Sequence, residues 1–268
     1  MTYIHSSAVV SPHAKIADNV EIGPGSVIDK NVIIGDGCRI DSCVHLYSGV
    51  RLGRGVRVFH GAALGGEPQD LKFGGEETEL FVGDNTILRE FVTLSRGTKA
   101  TGRTIVGSDC MLMAYSHVAH DCSVGNQVIL ANSVALAGHV EIEDFAILGG
   151  IVPVHQFVRI GRYAFVGGGV RVPKDIPPYI MATGQPTSYY GLNSVGLRRR
   201  GFSDETRLTL KRVYSLLFQS KLNISQAVAT IQAEYGHIEE VRIILEFISK
   251  SKRGLIPGNK RLRSEDEA

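Results

Sequence analysis

An aliphatic residue at every sixth position is the feature that most constrains the fold of this chain. Steps of six from Ile4 to Leu64 meet only Ile, Leu or Val, and a second unbroken series runs from Val106 to Val172. Across residues 4–172, 26 of the 29 such positions are branched aliphatics. The residue four places after each one is small or aliphatic, and glycine, Asp and Asn recur at the turn positions between them. The pattern predicts very short strands with two inward side chains, separated by turns.

Three such units close into a triangular coil of 18 residues. Coils stack as parallel strands about 4.8 Å apart, so the repeat predicts about ten coils of a parallel β-helix. The 31 glycines and the absence of Trp fit a narrow interior filled by small and aliphatic side chains. An alternating β-sandwich is the competing fold, but its strands would not keep a strict six-residue phase over about sixty residues.

Two polar insertions interrupt the period, at residues 65–81 and 97–104. Insertions in a solenoid often form its binding face. The repeat is expected to end near Pro173, because a pair of prolines follows shortly afterwards. We therefore predict a mainly β domain over residues 1–190 and a small α-helical domain over residues 191–268, which ends in a charged tail.

Helical patterns are predicted after a linker that contains glycine and tyrosine. Ser203 is a candidate N-cap of the first helix. Asn223 or Ser225 is expected to begin a second helix that ends at Gly236, and residues 238–251 form a third pattern.

The near-neutral total charge of +2 hides an uneven distribution. Residues 196–268 carry 14 Lys and Arg against 9 Asp and Glu, which indicates a basic helical end. Most of that surplus is expected on a solvated surface, but the adjacent arginines Arg198–Arg200 suit phosphate or an acidic partner. The total charge gives no reason to expect a nucleic-acid partner.

The sequence also argues against export and membrane insertion. The longest uncharged, mostly apolar stretch of note, residues 145–154, is too short to span a bilayer, and the N-terminus has no signal-peptide pattern. The four cysteines include no C-x-x-C pair, so we expect a reducing cytoplasm. Cys38, Cys110 and Cys122 occupy small inward positions and are expected to fill the core.

Histidines gather where the 18-residue coil is applied to the second half of the repeat. His120 stacks on Gly138 and then on Gln156 in successive coils. The neighbours that complete this predicted cluster are His117, Asp121, His139 and His155. Asp121 directly follows His120 and could orient its ring, which would make the imidazole a better base. A histidine cluster also suits a metal, as in carbonic anhydrases of the γ type, although we expect no metal here.

Several motifs resemble one family across essentially the whole chain. They are H-V-A-H-D-C at 117–122, L-A-G-H-V at 136–140, V-H-Q-F at 154–157, the loop Q-D-L-K at 69–72, and the segment from Asn193 through R-R-R-G-F at 198–202. Together they are similar to the acyl-carrier-protein:UDP-N-acetylglucosamine O-acyltransferases, which catalyse the first step of lipid A biosynthesis. The resemblance implies a left-handed β-helix, a homotrimer with active sites between neighbouring chains, and no cofactor beyond the phosphopantetheine of the acyl carrier protein.

The resemblance also implies roles for individual residues. His120 would be the general base that deprotonates the glucosamine 3-hydroxyl, Asp121 would hold its tautomer, and the Gly138 N–H would stabilise the oxyanion. Gly168 would leave room for a long acyl chain, which could be 3-hydroxylated. The residues implied around the sugar, the reacting groups, the nucleotide and the diphosphate are Gln69, Asp70, Lys72, His117, His139, His155, Gln156, Asn193, Arg199 and Arg200. Basic C-terminal helices would receive the acidic carrier protein.

Two positions depart from the resemblance, and other functions stay open. Val195 replaces an acid, and Pro186 replaces an expected histidine near the acyl-chain end. The alternatives are the related N-acyltransferase of lipid A synthesis, a zinc enzyme like the γ-type carbonic anhydrases, and a structural β-helix without activity. A 3-amino sugar as acceptor also stays open.

Overall fold

The computed structural model describes residues 1–258, and the predicted charged tail lies largely outside this range. The chain forms a left-handed parallel β-helix followed by a small helical part, which confirms the predicted fold. Within residues 1–258, no helix is long and apolar enough to cross a membrane.

Three sheets make up the faces of the β-helix. The first sheet contains β1 (Tyr3–Ile4), β4 (Glu21–Ile22), β7 (Arg39–Ile40), β10 (Arg57–Val58), β13 (Ile87–Leu88), β16 (Met111–Leu112), β19 (Ile129–Leu130), β22 (Ile147–Leu148), β25 (Phe165–Val166), β26 (Ile180–Thr183) and β27 (Ser188–Leu192). The second sheet contains β2 (Val9–Val10), β5 (Val27–Ile28), β8 (His45–Leu46), β11 (Ala63–Gly66), β14 (Thr93–Ser95), β17 (His117–Val118), β20 (Ala135–Leu136) and β23 (Pro153–Val154). The third sheet contains β3 (Lys15–Ile16), β6 (Ile33–Ile34), β9 (Val50–Leu52), β12 (Glu79–Val82), β15 (Arg103–Val106), β18 (Ser123–Val124), β21 (Glu141–Ile142) and β24 (Arg159–Ile160).

The three corners of the coil are named by the sheets that they join. The 1–2 corner carries Tyr115, Ser133 and Ile151 in successive coils, the 2–3 corner carries Asp121, His139 and Phe157, and the 3–1 corner carries Gln127, Phe145 and Tyr163. All nine residues have a positive φ, which is the left-handed backbone region. A sharp corner requires this conformation, and the chain uses it even with bulky side chains that ordinarily avoid it.

Strand pairing follows the predicted 18-residue step, except at the two insertions. His117 pairs with Ala135, but Ala63 pairs with Thr93 and Thr93 with His117, which are steps of 30 and 24 residues. Both insertions leave the second sheet and return in the third. They therefore project from the 2–3 corner, on the same edge as Asp121 and His139.

The interior holds the aliphatic rows that the period predicts. From Ile22 to Val172, the aliphatic residues at six-step positions are buried, whereas in the first coil Ile4 is exposed. Cys38, Cys110 and Cys122 are buried and free, as predicted. Burial raises the pKa of the Cys110 thiol to about 11 and that of Cys122 to about 12, so neither is a ready nucleophile.

The six-residue period ends after Val172, but the β-helix continues for one more strand. Phe165 on β25 pairs in parallel with Met181 on β26, and β27 then adds an antiparallel strand. The intervening Pro177 and Pro178 lie in the segment between paired strands, where a missing N–H costs no ladder hydrogen bond. The segment expected to be a linker therefore closes the end of the β-helix, and β27 (residues 188–192) is the last strand of the first sheet.

Up to residue 258, four helices follow: α1 (Ser194–Arg199), α2 (Asp204–Phe218), α3 (Ile224–Tyr235) and α4 (Glu239–Ser249). Ser203 caps α2, Asn223 caps α3 with a capping box, and Gly236 ends α3, as predicted. The short helix α1 was not predicted. A buried hydrogen bond joins α2 to the β-helix: the Tyr214 hydroxyl donates to the Pro178 carbonyl at 2.6 Å.

Candidate functional site

His120 and Asp121 form a close pair at the 2–3 corner, just after β17. His120 Nδ1 lies 2.7 Å from Asp121 Oδ2. The Asp121 side chain has no exposed surface, and 12% of the His120 side chain is exposed. Asp121 has a φ of 59°, and its own N–H donates to Thr104 Oγ1 at 2.9 Å. This corner conformation turns two adjacent side chains toward each other, which an extended strand would not do.

The Asp121 carboxylate has a complete set of hydrogen-bond donors. Oδ1 accepts from the Thr98 N–H at 3.0 Å and from the Thr101 hydroxyl, while Oδ2 accepts from the Thr98 hydroxyl at 2.7 Å and from His120. Burial on its own would raise the pKa of Asp121, but the hydrogen bonds from Thr101, His120 and Thr98 outweigh it and hold that pKa at about 2. Asp121 is therefore ionised near neutral pH and can only accept.

This ionised partner fixes the tautomer of the neutral His120 ring. Because Asp121 has no proton to give, His120 Nδ1 must carry the proton of their hydrogen bond. The other ring nitrogen, Nε2, then holds a free lone pair. His120 Nε2 can accept a proton from a bound molecule, which is what a general base requires.

Gly138 lies one coil beyond His120, and only a glycine fits there. A Cβ at this position would lie 2.6 Å from Cε1 and 2.8 Å from Nε2 of His120. The imidazole therefore occupies the space that a side chain would fill. Gly138 is buried, and within residues 1–258 its N–H donates no hydrogen bond.

Two more histidines flank the pair. The His139 ring meets that of His120 edge to face with centroids 5.2 Å apart, and its Nε2 lies 3.7 Å from Asp121 Oδ2. On β17, His117 Nδ1 lies 2.8 Å from Thr93 Oγ1. Burial is the main cause that lowers the pKa of His117, so its ring is neutral near pH 7.

The third coil completes the histidine corner as the 18-residue step predicts. His155 Nδ1 lies 3.1 Å from the Gln156 carbonyl oxygen, and Gln156 is exposed. Phe157 stacks on His139 with centroids 4.6 Å apart. Sequence reasoning missed Phe157, although it lies 18 residues after His139 and the coil repeat could have revealed it.

The loop residues Gln69, Asp70 and Lys72 project from the same corner in an earlier coil. Asp70 Oδ1 accepts from the Lys72 N–H at 3.0 Å, which closes a local turn, and Lys72 and Gln69 are exposed. Within the described part of the chain, no hydrogen bond joins these three residues to the histidine corner.

The structure separates the remaining predicted site residues from His120. Asn193 caps α1 by accepting from the Gly196 N–H and also donates to the Tyr163 carbonyl at 2.9 Å. Arg200 lies over the Phe145 ring and donates to Gln127 at the 3–1 corner. Asn193 and Arg200 therefore lie at the 3–1 corner, and Arg199 is exposed on α1. A single chain therefore does not join them to the histidine corner.

Gly168, the residue predicted for the acyl-chain pocket, lies at the 1–2 corner. It is exposed, and a Cβ there would lie 3.2 Å from the Gly150 carbonyl oxygen. A side chain at this position would therefore project from the surface beside Gly150.

A metal ion does not suit the donors at the histidine corner. Ligand atoms of His120, Asp121 and His139 lie within 4.8 Å of one another, which is close enough for one cation. However, both oxygens of Asp121 already accept two hydrogen bonds each, so the carboxylate has no lone pair left for an ion. The geometry therefore favours acid–base chemistry at this corner over cation binding.

Known proteins are similar to this chain over nearly its whole length. Residues 175–256 match the profile described as "Udp N-acetylglucosamine O-acyltransferase; Domain 2", and residues 103–138 match "Bacterial transferase hexapeptide (six repeats)". The acyl-(acyl-carrier-protein)–UDP-N-acetylglucosamine O-acyltransferase of Thiobacillus denitrificans is 49% identical, over 96% of this chain and all of that protein. The chain belongs to this O-acyltransferase family. It is therefore an enzyme of the acyltransferase class.

Solved structures of the O-acyltransferase family agree with this assignment. The UDP-N-acetylglucosamine acyltransferase of Francisella novicida has a TM-score of 0.94 and 39% identity, and the match covers 96% of this chain and 95% of that one. The enzyme of Bacteroides fragilis has a TM-score of 0.92 and 46% identity, covering 94% of this chain and 99% of that one.

Proposed function

We propose that this O-acyltransferase moves an acyl chain, which could be 3-hydroxylated, from acyl carrier protein to the glucosamine 3-hydroxyl of UDP-N-acetylglucosamine. The reaction would be the first step of lipid A biosynthesis and would take place in the cytoplasm. The observation that carries the chemistry is the His120–Asp121 pair, in which the ionised carboxylate keeps the proton of the neutral ring on Nδ1, together with a Gly138 N–H that donates no hydrogen bond within residues 1–258. The substrates follow from the printed names of the relatives.

His120 acts as a general base in this proposal. Its Nε2 removes the proton of the 3-hydroxyl as the oxygen attacks the thioester carbon, and the imidazolium then protonates the departing phosphopantetheine sulfur. Acyl transfer is direct, without an acyl-enzyme. Asp121 stabilises the imidazolium by its negative charge, because its pKa of about 2 keeps it ionised throughout. The chemistry needs no cofactor besides the carrier's phosphopantetheine.

The Gly138 N–H supplies the oxyanion donor. It lies one coil from His120 and has no acceptor of its own within residues 1–258. A donor aimed at the developing negative oxygen typically contributes about 3 kcal/mol to the transition state.

A homotrimer would complete the site. Exposed apolar side chains form a row at the 1–2 corner, where Phe91, Tyr115 and Ile151 are 42%, 62% and 69% exposed. If three chains turn this row toward a common axis, the 2–3 corner of each lies beside the 3–1 corner of its neighbour. Arg200, which lies over Phe145, would then meet the histidine corner of another chain.

The proposed binding residues form two groups. Around the sugar and reacting groups we place Gln69, Asp70, Lys72, His117, His139 and Gln156. For the nucleotide and diphosphate we propose His155, Asn193, Arg199 and Arg200. The acidic carrier protein would dock on the basic C-terminal helices, and Gly168 would leave room for a long acyl chain.

Product analysis tests the proposal directly. Incubation with carrier-bound 3-hydroxyacyl thioester and UDP-N-acetylglucosamine should yield a product that mass spectrometry and mild alkaline hydrolysis identify as a 3-O-ester. An alkali-stable amide, formed only with a 3-amino acceptor, would indicate the N-acyl alternative. The His120→Ala variant should lose turnover by at least about 10²-fold, in the range of general-base catalysis, while keeping its oligomeric state. Substantial activity in this variant would refute the assignment of the base.

A further inference from the structure

The second insertion, residues 97–104, carries none of the residues proposed above, yet it surrounds Asp121. Thr98 and Thr101 come from this insertion, and each has a hydroxyl within hydrogen-bond distance of the carboxylate. A third threonine, Thr104, accepts from the backbone N–H of Asp121. An insertion at this corner therefore supplies most of the polar surroundings of one side chain.

We propose that Thr98 and Thr101 are positioning residues that hold the Asp121 carboxylate in one orientation and keep it from taking the proton of His120. This inference rests on the proposed role of His120 as general base. The two threonines act through Asp121 and touch neither substrate nor reacting atoms.

The contacts of Thr98 set the direction of the carboxylate. Its N–H donates to Oδ1 at 3.0 Å and its hydroxyl to Oδ2 at 2.7 Å, so one residue forms hydrogen bonds with both oxygens of Asp121. A carboxylate held at both oxygens cannot rotate about its terminal bond. Its Oδ2 therefore keeps pointing at His120 Nδ1, which lies 2.7 Å away.

Thr101 brings a second hydroxyl to the carboxylate of Asp121, and this one donates to Oδ1. Its hydroxyl oxygen also lies 2.8 Å from the Arg103 carbonyl, but it has a single proton, and the nearer, charged carboxylate is the stronger acceptor. Donation from two hydroxyls stabilises the negative charge and makes Asp121 a weaker base. The proton on His120 Nδ1 consequently stays on the ring when Nε2 becomes protonated.

The insertion is itself held in place, which positioning requires. Thr98 closes a turn by accepting from the Gly102 N–H at 2.7 Å, and the Lys99 N–H donates to Glu76 Oε1 at 3.0 Å. Glu76 belongs to the first insertion, so the two insertions brace each other. Thr98 is buried, whereas Thr101 lies near the surface.

Valine variants test the inference, because valine keeps the shape of threonine and removes the hydroxyl. We expect kcat to fall about tenfold in Thr98→Val and in Thr101→Val, since each loses a hydrogen bond to a charged group. The KM for UDP-N-acetylglucosamine should stay within about twofold. Thr98→Ser keeps the donor and should stay within about threefold of the wild-type kcat.

A matched control separates positioning from loss of a buried hydrogen bond. Thr86 is as buried as Thr98 and donates to the Gly107 carbonyl at 2.7 Å, away from the 2–3 corner. Thr86→Val should therefore lower the thermal unfolding temperature while leaving kcat unchanged.

The pH profile supplies a readout that a merely structural role would not move. Within residues 1–258, the titratable side chains that face the His120 ring are Asp121, His117 from the preceding strand β17 and His139 from the next coil. In the double valine variant the carboxylate attracts the imidazolium more strongly. The acid limb of kcat/KM should therefore move to higher pH by several tenths of a unit or more, and Thr86→Val should not shift it.

Two results would overturn the inference. One is a double valine variant with wild-type kcat and an unmoved acid limb, and the other is a serine variant as impaired as its valine counterpart. Should Thr98→Val fail to fold, the near-surface Thr101→Val carries the test. An active His120→Ala variant would instead refute the proposed general base. An inactive His120→Ala variant together with fully active valine variants would refute only the role of the threonines.

Discussion

His120 packs so closely on Gly138 that one substitution at Gly138 should displace the proposed base without removing any catalytic group. In Gly138→Ala, the new methyl would lie 2.6 Å from His120 Cε1, and contacts below 3.0 Å essentially never occur for a Cβ. The backbone N–H of residue 138 stays in place. The φ of Gly138 is not in the left-handed region, so alanine causes no backbone strain there.

The size of the effect follows from the distance that the ring must move. Restoring an ordinary contact of 3.4 Å requires His120 to retreat by about 0.8 Å. Displacements near 1 Å in a reacting group typically cost about 10²-fold in rate. We therefore expect kcat to fall about 10²-fold, equivalent to about 2.7 kcal/mol in the barrier.

Steady-state kinetics with carrier-bound acyl thioester and UDP-N-acetylglucosamine would measure this loss, together with a thermal unfolding curve. Gly66→Ala is a suitable control, because a methyl there meets only a ring carbon of Tyr47 at 3.9 Å. The control should retain wild-type kcat. A Gly138→Ala enzyme with kcat within about threefold of wild type would show that the tight contact does not position His120.

Three further predictions concern acid stability, the shared site and chain length. Because the folded-state pKa of Asp121, about 2, lies below its unfolded value of about 3.9, ionised Asp121 contributes about 2 kcal/mol above pH 4 that is lost as the pH falls toward 2. Urea unfolding should accordingly show a smaller penalty for Asp121→Asn at pH 3 than at pH 6, and equal penalties would contradict the low pKa. Arg200→Ala should chiefly raise the KM for the sugar nucleotide, by about tenfold, and a loss confined to kcat would argue against a diphosphate role. Mixed oligomers of Arg200→Ala and His120→Ala chains should regain activity. No regain would argue against a site shared between chains. Carrier-bound C14 substrate should be preferred over C10, and Gly168→Met should reverse this order; a clear C10 preference in the wild type would contradict an open pocket at Gly168.

Much of the β-helix could be predicted because its determinants are local and repeated. Each coil buries two side chains per face, so the six-residue period is visible without knowledge of tertiary contacts. The same period placed Gly138 and Gln156 in line with His120. The helix caps at Ser203 and Asn223 were predictable for a similar reason, since each cap needs only a side chain and an N–H three residues later.

The parts that escaped prediction depend on contacts that the period does not encode. The pairing of β26 with β25 lacks the six-residue pattern, so the sequence does not indicate this last coil. The hydrogen bonds of Thr98 and Thr101 to Asp121 join residues 20 to 23 positions apart through an insertion that breaks the phase. The position of Arg200 at the 3–1 corner depends on how α1 packs against Gln127 and Phe145.

The corners also bear on how a molecule of this kind can acquire new chemistry. Inward residues are aliphatic and set the fold, while corner residues such as Tyr115, Ser133 and Ile151 stand in a row at the surface, one per coil. Substitutions along such a row leave the interior packing untouched, so selection can alter one without disturbing the other. Each corner thus provides evenly spaced positions, on which a reactive centre can be assembled one substitution at a time while the scaffold stays the same.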